Sequence, residues 1–329
     1  MRGVIIIEFV KPTIFISACI EQVACRFDGT VISDIFVKRL LPYVNVVKAC
    51  PEMAIGLPSP RDSIRMIYSK KDGKQLINKK RDVDYTLKMQ NFTLNYIKGL
   101  EEKNIVGAIL KAKSPSCGFN DVKLYPKEDN KPAITAKDSG FFGGPLKEAF
   151  NDLPFETERR LSNYDIRDKF FIEIFLLASF KEVSKTNKIK YLVDFHTNNK
   201  YLIMTFSQKI LKELGNITAN HDHLVVDVVY NNYYIKLKEL ISNKITKQKR
   251  INVLTHIYGY FKNILSKDEK VYYFELQNQY LENRVPFQTL MTLLRSYIIR
   301  FQDSYLLKQT IFEPYPKELG EITDSGKGV

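Results

Sequence analysis

Three cysteines in the first half of the chain each follow a short apolar run, which places reactive side chains at predicted strand ends. Cys19, Cys50 and Cys117 come after runs of apolar, largely β-branched residues that are typical of buried strands. If these strands are parallel neighbours, their ends lie roughly 5–10 Å apart. Thiols at that separation can share one metal centre, so the spacing indicates metal or thiol chemistry at one edge of a sheet.

The third cysteine lies in a loop that is dense in reactive side chains. The apolar run over residues 105–110 is followed by the sequence Lys111-Ala112-Lys113-Ser114-Pro115-Ser116-Cys117-Gly118. Pro115 favours an extended Ser114, and Gly118 permits a sharp turn or a close backbone approach. Ligands of open α/β sheets bind outside the carboxyl ends of strands, where such loops converge. The loop is therefore a candidate site, and the alternative is a plain turn with an incidental cysteine.

The elements around these loops predict an α/β domain. Their order of strand, helix, strand, helix, helix and strand predicts a Rossmann-like parallel sheet with right-handed crossovers. No G-x-G-x-x-G motif is present, so a dinucleotide is not indicated. We expect a short helix from Pro60, with Arg61 and Arg65 on one face, where they could hold a phosphate or pair with carboxylates. The basic, turn-rich sequence of residues 70–81 predicts a loop that is either solvated or in contact with nucleic acid. The polar sequence of residues 125–139 predicts a surface loop.

The second half of the chain changes to helical periodicity. It contains all four histidines and no cysteine. His221 and His223 could bind a metal, but their loop position favours a surface role. We expect residues 1–163 to form the α/β domain, residues 164–319 an all-α domain and residues 320–329 a disordered tail. The predicted helices cover residues 165–181, 196–214, 228–249, 251–265, 269–283 and 287–307.

The composition is that of a globular protein with a basic surface. The 329 residues are 44% hydrophobic and 26% charged, and the formal net charge is +13. Both halves are basic, which favours a polyanionic partner, although lysine-rich solvated faces are the simpler explanation. Gly143 and Gly144 before a short helix could cradle a phosphate or only make a turn.

The sequence has no predicted membrane span, because the longest apolar window, residues 170–180, is too short and contains a glutamate. No signal peptide is predicted, because Glu8 and Lys11 interrupt the apolar N-terminal run and no small-residue cleavage site follows at once. Four cysteines in such a chain argue for metal binding or catalysis rather than disulfides. The expected compartment is therefore the reducing cytoplasm.

Taken together, the cysteine motifs resemble the thiouracil desulfurase (TudS) family. The resemblance rests on Ser17-Ala18-Cys19, Cys25-Arg26-Phe27-Asp28-Gly29, Cys50-Pro51-Glu52, Gly56-Leu57-Pro58-Ser59-Pro60-Arg61, Lys113-Ser114-Pro115-Ser116-Cys117-Gly118 and Leu153-Pro154-Phe155-Glu156. The second half is similar to the YbgA-like domain often fused to that family. It carries Phe195-His196 with Lys200, His256-Ile257-Tyr258-Gly259-Tyr260-Phe261, and Thr292-Leu293-Leu294-Arg295.

The resemblance implies a [4Fe-4S] cluster held by only three cysteines, which match Cys19, Cys50 and Cys117. One iron then lacks a protein ligand and can take the sulfur of a substrate. Glu52 and Ser114 match the catalytic acid/base pair of the family. The implied reaction is a non-redox hydrolysis that removes sulfur from thiolated uracil, uridine or tRNA thiouridine, with sulfide left on the open iron. No membrane partner is implied, and the oligomeric state does not follow from the sequence.

Several departures leave alternatives open. Glu21 places a carboxylate near the first ligand, and Phe27 stands where the family usually has tyrosine. Before Lys200, Asn198-Asn199 stands where the family usually has a basic pair that includes histidine. Cys25 is a fourth thiol that could occupy the open iron and close the cluster. The alternative function is a basic RNA-binding protein whose thiols hold a structural zinc or a closed iron–sulfur site.

Overall fold

The chain divides into two compact units in a computed structural model that describes residues 9–78, 80, 82–127 and 134–322. The first unit is Met1–Ala178 together with Tyr315–Val329, and the second is Ser179–Pro314. The first change of unit falls inside a long helix, whereas the sequence predicts a domain boundary after residue 163. A compact unit defined by packing need not end at the same residue as a domain defined by its sequence. The domain bounds predicted from the sequence therefore stay a prediction.

A fully parallel sheet forms the core of the first unit. Its order is β2-β1-β5-β8, and every neighbouring pair is parallel. Phe15, Ile16 and Ile109 in its middle are inaccessible to solvent. The Rossmann-like parallel α/β architecture predicted from the apolar runs is therefore confirmed. Within the described residues the strands are β1 (Thr13–Ser17), β2 (Asn45–Ala49), β3 (Ile64–Ser69), β4 (Gly73–Asn78), β5 (Ala108–Leu110), β6 (Val122–Pro126), β7 (Ile134–Asp138) and β8 (Phe155–Thr157).

A second sheet, which the sequence pattern does not predict, has the order β4-β3-β6-β7. Strand β3 is antiparallel to β4 and parallel to β6, and β6 is antiparallel to β7. The short helix predicted from Pro60 is wrong, because the segment forms β3. Met66 and Leu124 are buried on one face, whereas Arg65 and Lys123 on the other are more exposed. In β6, where the exposed Lys123 lies between the buried Val122 and Leu124, this alternation has the period of two that distinguishes a strand from a helix.

Two predicted loops also belong to this sheet. Residues 125–139 contain the end of β6 and all of β7, so the predicted surface loop is wrong there. The basic excursion over residues 70–81 contains β4, which forms a hairpin with β3; Lys79 and Arg81 lie outside the described residues. Lysines on exposed strand faces prevent edge-to-edge association, and here they obscured the strand pattern.

The helices of the first unit are α1 (Ile35–Leu40), α2 (Pro51–Ala54), α3 (Thr86–Glu101), α4 (Gly143–Ala149) and the first part of α5 (Tyr164–Ser184). Helix α2 begins directly after Cys50, and Pro51 occupies its first turn. Proline suits that position because its φ is already helical and its missing N–H has no intrahelical acceptor there. Glu52 is consequently held in the first turn of α2, just beyond the carboxyl end of β2.

The start of α4 packs flush against the backbone of the Ser114–Gly118 loop. The amides of Phe142 and Gly143 both donate to the carbonyl of Ser116, at 2.9 Å. A Cβ added to Gly143 would lie 2.1 Å from the carbonyl oxygen of Cys117. The glycines therefore permit a close approach between two backbone segments. The amide of Gly144 is also taken, by the carbonyl of Gly140, so these groups do not form the phosphate cradle weighed from the sequence.

The second unit is helical, as predicted. After the end of α5, its helices are α6 (Ile189–Asn198), α7 (Lys200–Phe206), α8 (Gln208–Ala219), α9 (Val226–Ile241), α10 (Lys247–Tyr258), α11 (Lys267–Leu281) and α12 (Phe287–Phe301). The single helix expected over residues 196–214 is wrong, because the chain breaks at Asn199 and Ser207. No described helix has the length and apolarity needed to cross a membrane. Of the tail predicted to be disordered, residues 323–329 lie outside the described part.

The buried carboxyl of Glu173 on α5 makes the stability of the first unit dependent on pH. Burial raises the pKa of Glu173 to about 7, although the ammonium of Lys169 pairs with it. The folded protein thus keeps a proton that the unfolded chain loses near pH 4.3. Stability is greatest below that pH and is lost as pH rises to 7, by on the order of 4 kcal/mol in all and about 2 kcal/mol of it above pH 5.5.

We expect Glu173→Gln to flatten this dependence, measured as the free energy of unfolding in urea at pH 5.5 and pH 8.5 (values chosen to bracket about 7). The exposed Glu148 on α4 offers a matched control, since Glu148→Gln should keep the wild-type slope. Identical slopes for the wild-type protein and the Glu173→Gln variant would contradict the prediction.

Adding a methyl group at Gly143 should displace the Ser116–Gly118 backbone. Because the nearest atoms are backbone carbonyls, we expect Gly143→Ala to lower the free energy of unfolding by about 1–3 kcal/mol. Gly99, inside α3, has no atom within 4 Å of an added Cβ, so Gly99→Ala should be neutral or stabilising. Denaturant unfolding of the two variants checks this, and equal stability of both would show that the close packing is not required.

Candidate active site

All four cysteines line one cavity of about 280 Å³ at the carboxyl ends of the parallel strands. Cys19 follows β1, Cys50 directly follows β2, and Cys117 lies in the loop after β5. The pairing of Ser17 with Ala49 and of Ile16 with Ile109 brings these strand ends side by side. The structure therefore places the three sequence-predicted thiols around a common space.

Burial raises the pKa of two of these thiols, those of Cys19 and Cys117. It raises the pKa of Cys19 to about 12, with a further contribution from Cys50 and an opposing one from the ammonium of Lys111. Burial also raises the pKa of Cys117 well above its ordinary value, while a hydrogen bond with Ser17 lowers it. Several thiolates in this cavity would repel one another and lack solvation. They would become stable only beside a positive charge that compensates for both effects.

Cys25 lies next to Cys50. It is 1% exposed, and the Cys50 sulfur is 3.7 Å from the carbonyl oxygen of Cys25. Burial, followed by the neighbouring Cys50, raises the pKa of the Cys25 thiol to about 12. The fourth thiol is thus a direct neighbour of one of the three candidate ligands. Across the described ranges, no three His, Cys, Asp or Glu side chains are grouped closely enough to hold a single metal ion.

Glu52 is held by hydrogen bonds at both carboxylate oxygens. Arg61 donates to Oε2 from Nε at 3.0 Å and from Nη2 at 2.5 Å. The Ser116 hydroxyl donates to Oε1 at 2.7 Å. Arg61 is itself fixed by the carbonyls of Cys25 and Pro58. These contacts define the orientation of the carboxylate at the cavity wall.

Ser114 also lines the cavity but has different partners. Its hydroxyl oxygen accepts hydrogen bonds from the backbone amides of Ser116, at 3.2 Å, and Cys117, at 3.1 Å. Both interactions use the oxygen lone pairs, so the hydroxyl proton remains free to be donated. No hydrogen bond joins Ser114 to Glu52 in the part of the chain that the structure describes. Ser116, rather than Ser114, contacts the carboxylate.

The sequence does not single out the roles of Arg61 and Ser116. Spacing drew attention to Arg61, and Ser116 was named only as part of the loop before Cys117; Ser116 is separated from Glu52 by 64 positions. Of the two roles weighed for the arginines, Arg61 pairs with a carboxylate, whereas Arg65 lies over the ring of Tyr125. A buried arginine beside a carboxylate becomes apparent only when the chain is folded.

A second ion pair ties three strand ends together. Lys111 Nζ is 2.9 Å from Glu158 Oε1, and Glu158 Oε2 accepts the amide of Ala112 at 2.8 Å. The amide of Lys111 donates to the Ser17 hydroxyl at 3.0 Å. Residues after β1, β5 and β8 are thereby joined beneath the cavity. The exposed cations Lys113 and Arg159 also line its wall.

Two departures from the family pattern have structural explanations. The carboxylate of Glu21 accepts the amide of Asp34, which caps α1, so it is engaged in a loop contact. In the helical unit, Asn199 donates to the carbonyl of Phe195 at 2.9 Å and accepts from the hydroxyl of Thr310 at 2.7 Å. These contacts stabilise the turn between α6 and α7.

All four histidines belong to the helical unit. His196 is half-buried in the helical unit, where Nδ1 is 3.1 Å from the Tyr233 hydroxyl. Burial, with a smaller effect of Lys200, lowers the pKa of His196 to about 4. It is therefore a neutral packing residue near pH 7. His221 and His223 lie in the exposed turn after α8, as the surface role predicts.

Comparison with known proteins divides the chain in the same order. Residues 14–158 match the 2-thiouracil desulfurase family, and residues 200–316 match DUF1722, a protein family of unknown function. The uncharacterised protein YbgA of Escherichia coli is 26% identical over 152 residues, which is 46% of this chain and 90% of that protein. The uncharacterised protein YbbK of Bacillus subtilis is 29% identical over 152 residues, covering 44% of this chain and 96% of that protein.

One solved structure is also similar. It is a [4Fe-4S]-dependent thiouracil desulfidase, TudS, which is 23% identical and covers 46% of this chain and 93% of its own, with a TM-score of 0.37. The family matches account for the two kinds of structure observed, an α/β part with strand-end cysteines and a helical part. The chain therefore joins a segment that matches the 2-thiouracil desulfurase family to a segment that matches DUF1722 and is similar to YbgA.

Proposed function

We propose that this protein is a desulfidase that replaces the sulfur of a thiolated uracil base with oxygen. The observation that carries the proposal is the single cavity in which the strand-end thiols meet the doubly held carboxylate of Glu52. The family of the first domain supports the same activity. The reaction consumes water and yields the oxo base and hydrogen sulfide, so no electrons are transferred.

The thiols fit a [4Fe-4S] cluster bound by Cys19, Cys50 and Cys117. The raised pKa values of Cys19 and Cys117 reflect burial without enough compensating positive charge, which iron would supply. Three thiols leave one corner of such a cluster without a protein ligand. When bound, the cluster supplies a Lewis-acidic iron that can polarise a thiocarbonyl group.

The protein residues around the cavity supply the proton transfers. Glu52, fixed by Arg61 and Ser116, orients a water molecule and accepts its proton at a carboxylate oxygen as the water attacks the carbon. Ser114 donates its hydroxyl proton to the substrate, because the Ser114 oxygen already accepts two amides. Fixing both groups beforehand avoids the loss of rotamer freedom during the reaction.

The rim of the cavity supports a phosphorylated substrate. The exposed Lys113 and Arg159 line its wall and can pair with a phosphate attached to the base. We therefore favour thiouridine, including thiouridine in tRNA, over a free base. Free thiols in the site suit a cytoplasmic protein. In this proposal residues 1–163 form the catalytic domain, residues 164–319 the accompanying helical domain and residues 320–329 a tail.

The contact between Cys25 and Cys50 supports a second candidate. If Cys25 also binds the metal, the site is closed, and the chain is an RNA-binding protein with a structural zinc or iron–sulfur centre. The two candidates differ in metal content and in turnover. Anaerobic purification followed by iron and sulfide counting, and then incubation with 4-thiouridine, separates them.

For the desulfidase we expect four irons per chain, loss of the near-ultraviolet absorbance of 4-thiouridine and release of sulfide. Zinc in place of iron, or an iron–sulfur protein that is inert towards every thiolated uracil compound tested, would favour the structural site.

Glu52→Gln should lower turnover by at least about 100-fold, because the amide cannot accept the proton of water. The variant should keep its iron and its cluster absorbance, since Glu52 is not one of the proposed ligands. Asp62→Asn is the matched control, because Asp62 is an exposed carboxylate in the loop that carries Arg61. Loss of turnover in both variants, or full turnover in Glu52→Gln, would contradict the proposed role.

Substitution of single cysteines should separate ligands from neighbours. We expect Cys25→Ala to retain iron and most turnover, whereas Cys50→Ala should lose both, because only Cys50 is a proposed ligand. Iron content and visible absorbance under anaerobic conditions are the measurements. Equal loss of iron in the two variants would show that the site is closed by Cys25.

A further inference from the structure

The second sheet carries cations at opposed positions on one face. Lys123 in β6 lies directly opposite Lys137 in β7. Arg65 in β3 belongs to the same face, because its guanidinium lies 5.4 Å from the ring centre of Tyr125, two residues beyond Lys123. The register that pairs Met66 with Leu124 places Arg65 beside Lys123. Arg65, Lys123 and Lys137 are named the cationic row here.

Like charges directly opposite each other in a sheet are destabilising. Lys123 and Lys137 are exposed, and Arg65 is partly exposed. Among the residues described by the structure, no carboxylate forms an ion pair with any member of the row. Elsewhere on this sheet lysines are neutralised, as in the pairs of Lys74 with Asp138 and of Lys127 with Asp72. The row is therefore a local concentration of positive charge that no ion pair within the described part of the chain compensates.

The row lies close to the cavity. Ile64, the first residue of β3, lines the cavity, and Arg65 follows it. Asp121, the residue before β6, accepts the amide of the cavity-lining Lys113 at 2.8 Å. Strands β3 and β6 thus begin at the cavity wall. Arg65 and Lys123 are the second residues of these two strands. At a strand spacing of roughly 4.8 Å the row spans roughly 10 Å.

We propose that the cationic row binds the phosphate backbone of a polynucleotide whose thiolated base occupies the cavity. This inference rests on the proposed function, because only a nucleic acid carries both a thiolated uracil base and repeated phosphates. A single nucleotide can place its phosphate at Lys113 or Arg159, but it does not extend along the sheet. Tyr125, on the same face, offers a ring against which a neighbouring base can stack.

The experiment compares two double variants that each remove two charges from this sheet. Lys123→Gln with Lys137→Gln removes two members of the row. Lys70→Gln with Lys71→Gln removes two exposed lysines at the tip of the β3–β4 hairpin and leaves the row intact. The full-length protein, purified anaerobically, is titrated into an unmodified single-stranded RNA of about 12 nucleotides, and fluorescence anisotropy is followed at several salt concentrations.

We expect the row variant to bind the RNA about tenfold or more weakly and to lose about 1.4 from the log–log salt slope, since two phosphate contacts are removed. The hairpin control should stay within about threefold of the wild-type protein. Equal weakening in both variants, or no RNA binding by the wild-type protein, would overturn the proposal.

Turnover of free 4-thiouridine by the wild-type protein tests the proposed function separately. If the protein does not turn over 4-thiouridine but still binds RNA through the cationic row, the row is an RNA-binding surface that does not serve a desulfidase. That result would overturn the proposal. Turnover of 4-thiouridine together with row-dependent binding supports the full proposal.

Discussion

The parallel pairing of β1 with β2 on one side and with β5 on the other is the constraint on which the candidate site depends. Because the three strands run in the same direction, Cys19, Cys50 and Cys117 emerge at one edge of the sheet. Burial at that edge raises the pKa of Cys19 and Cys117, so thiolates at these two positions would need a compensating positive charge beside them. Reversing one strand would move its cysteine to the opposite edge and leave no common cavity.

Backbone packing and side-chain hydrogen bonds hold the residues of the candidate site in place. The glycines before and at the start of α4 let its amides reach the carbonyls of the Ser114–Gly118 loop, which fixes the loop that carries Cys117. The start of α2 directly after β2 fixes Glu52, and Arg61 and Ser116 then orient its carboxylate from both sides. The loop is thus held by backbone packing and the carboxylate by side chains. In both cases the residues that provide the support are distant in sequence from the residues that they hold.

The sequence predicted the strand-end cysteines because uninterrupted apolar runs identify buried parallel strands, and it predicted the helical half because helical periodicity persists over long stretches. It did not predict the second sheet. There, the charged and polar residues over 70–81 and 125–139 suggest loops, and Arg61 and Arg65 have helical spacing. The contacts of Arg61 and Ser116 with Glu52 could not be predicted either, since they join segments whose relation is set only by folding. The resemblance named Ser114 as a partner of Glu52, whereas the folded chain puts Ser116 against the carboxylate.

The open iron is the central element of the proposed reaction, and Mössbauer spectroscopy tests it most directly. Protein enriched in ⁵⁷Fe would be measured anaerobically before and after addition of a thiolated uracil. If three cysteines hold the cluster, one iron site should change its isomer shift on substrate binding while the other sites keep theirs. A spectrum in which every iron has thiolate coordination and none responds to the substrate would contradict the account.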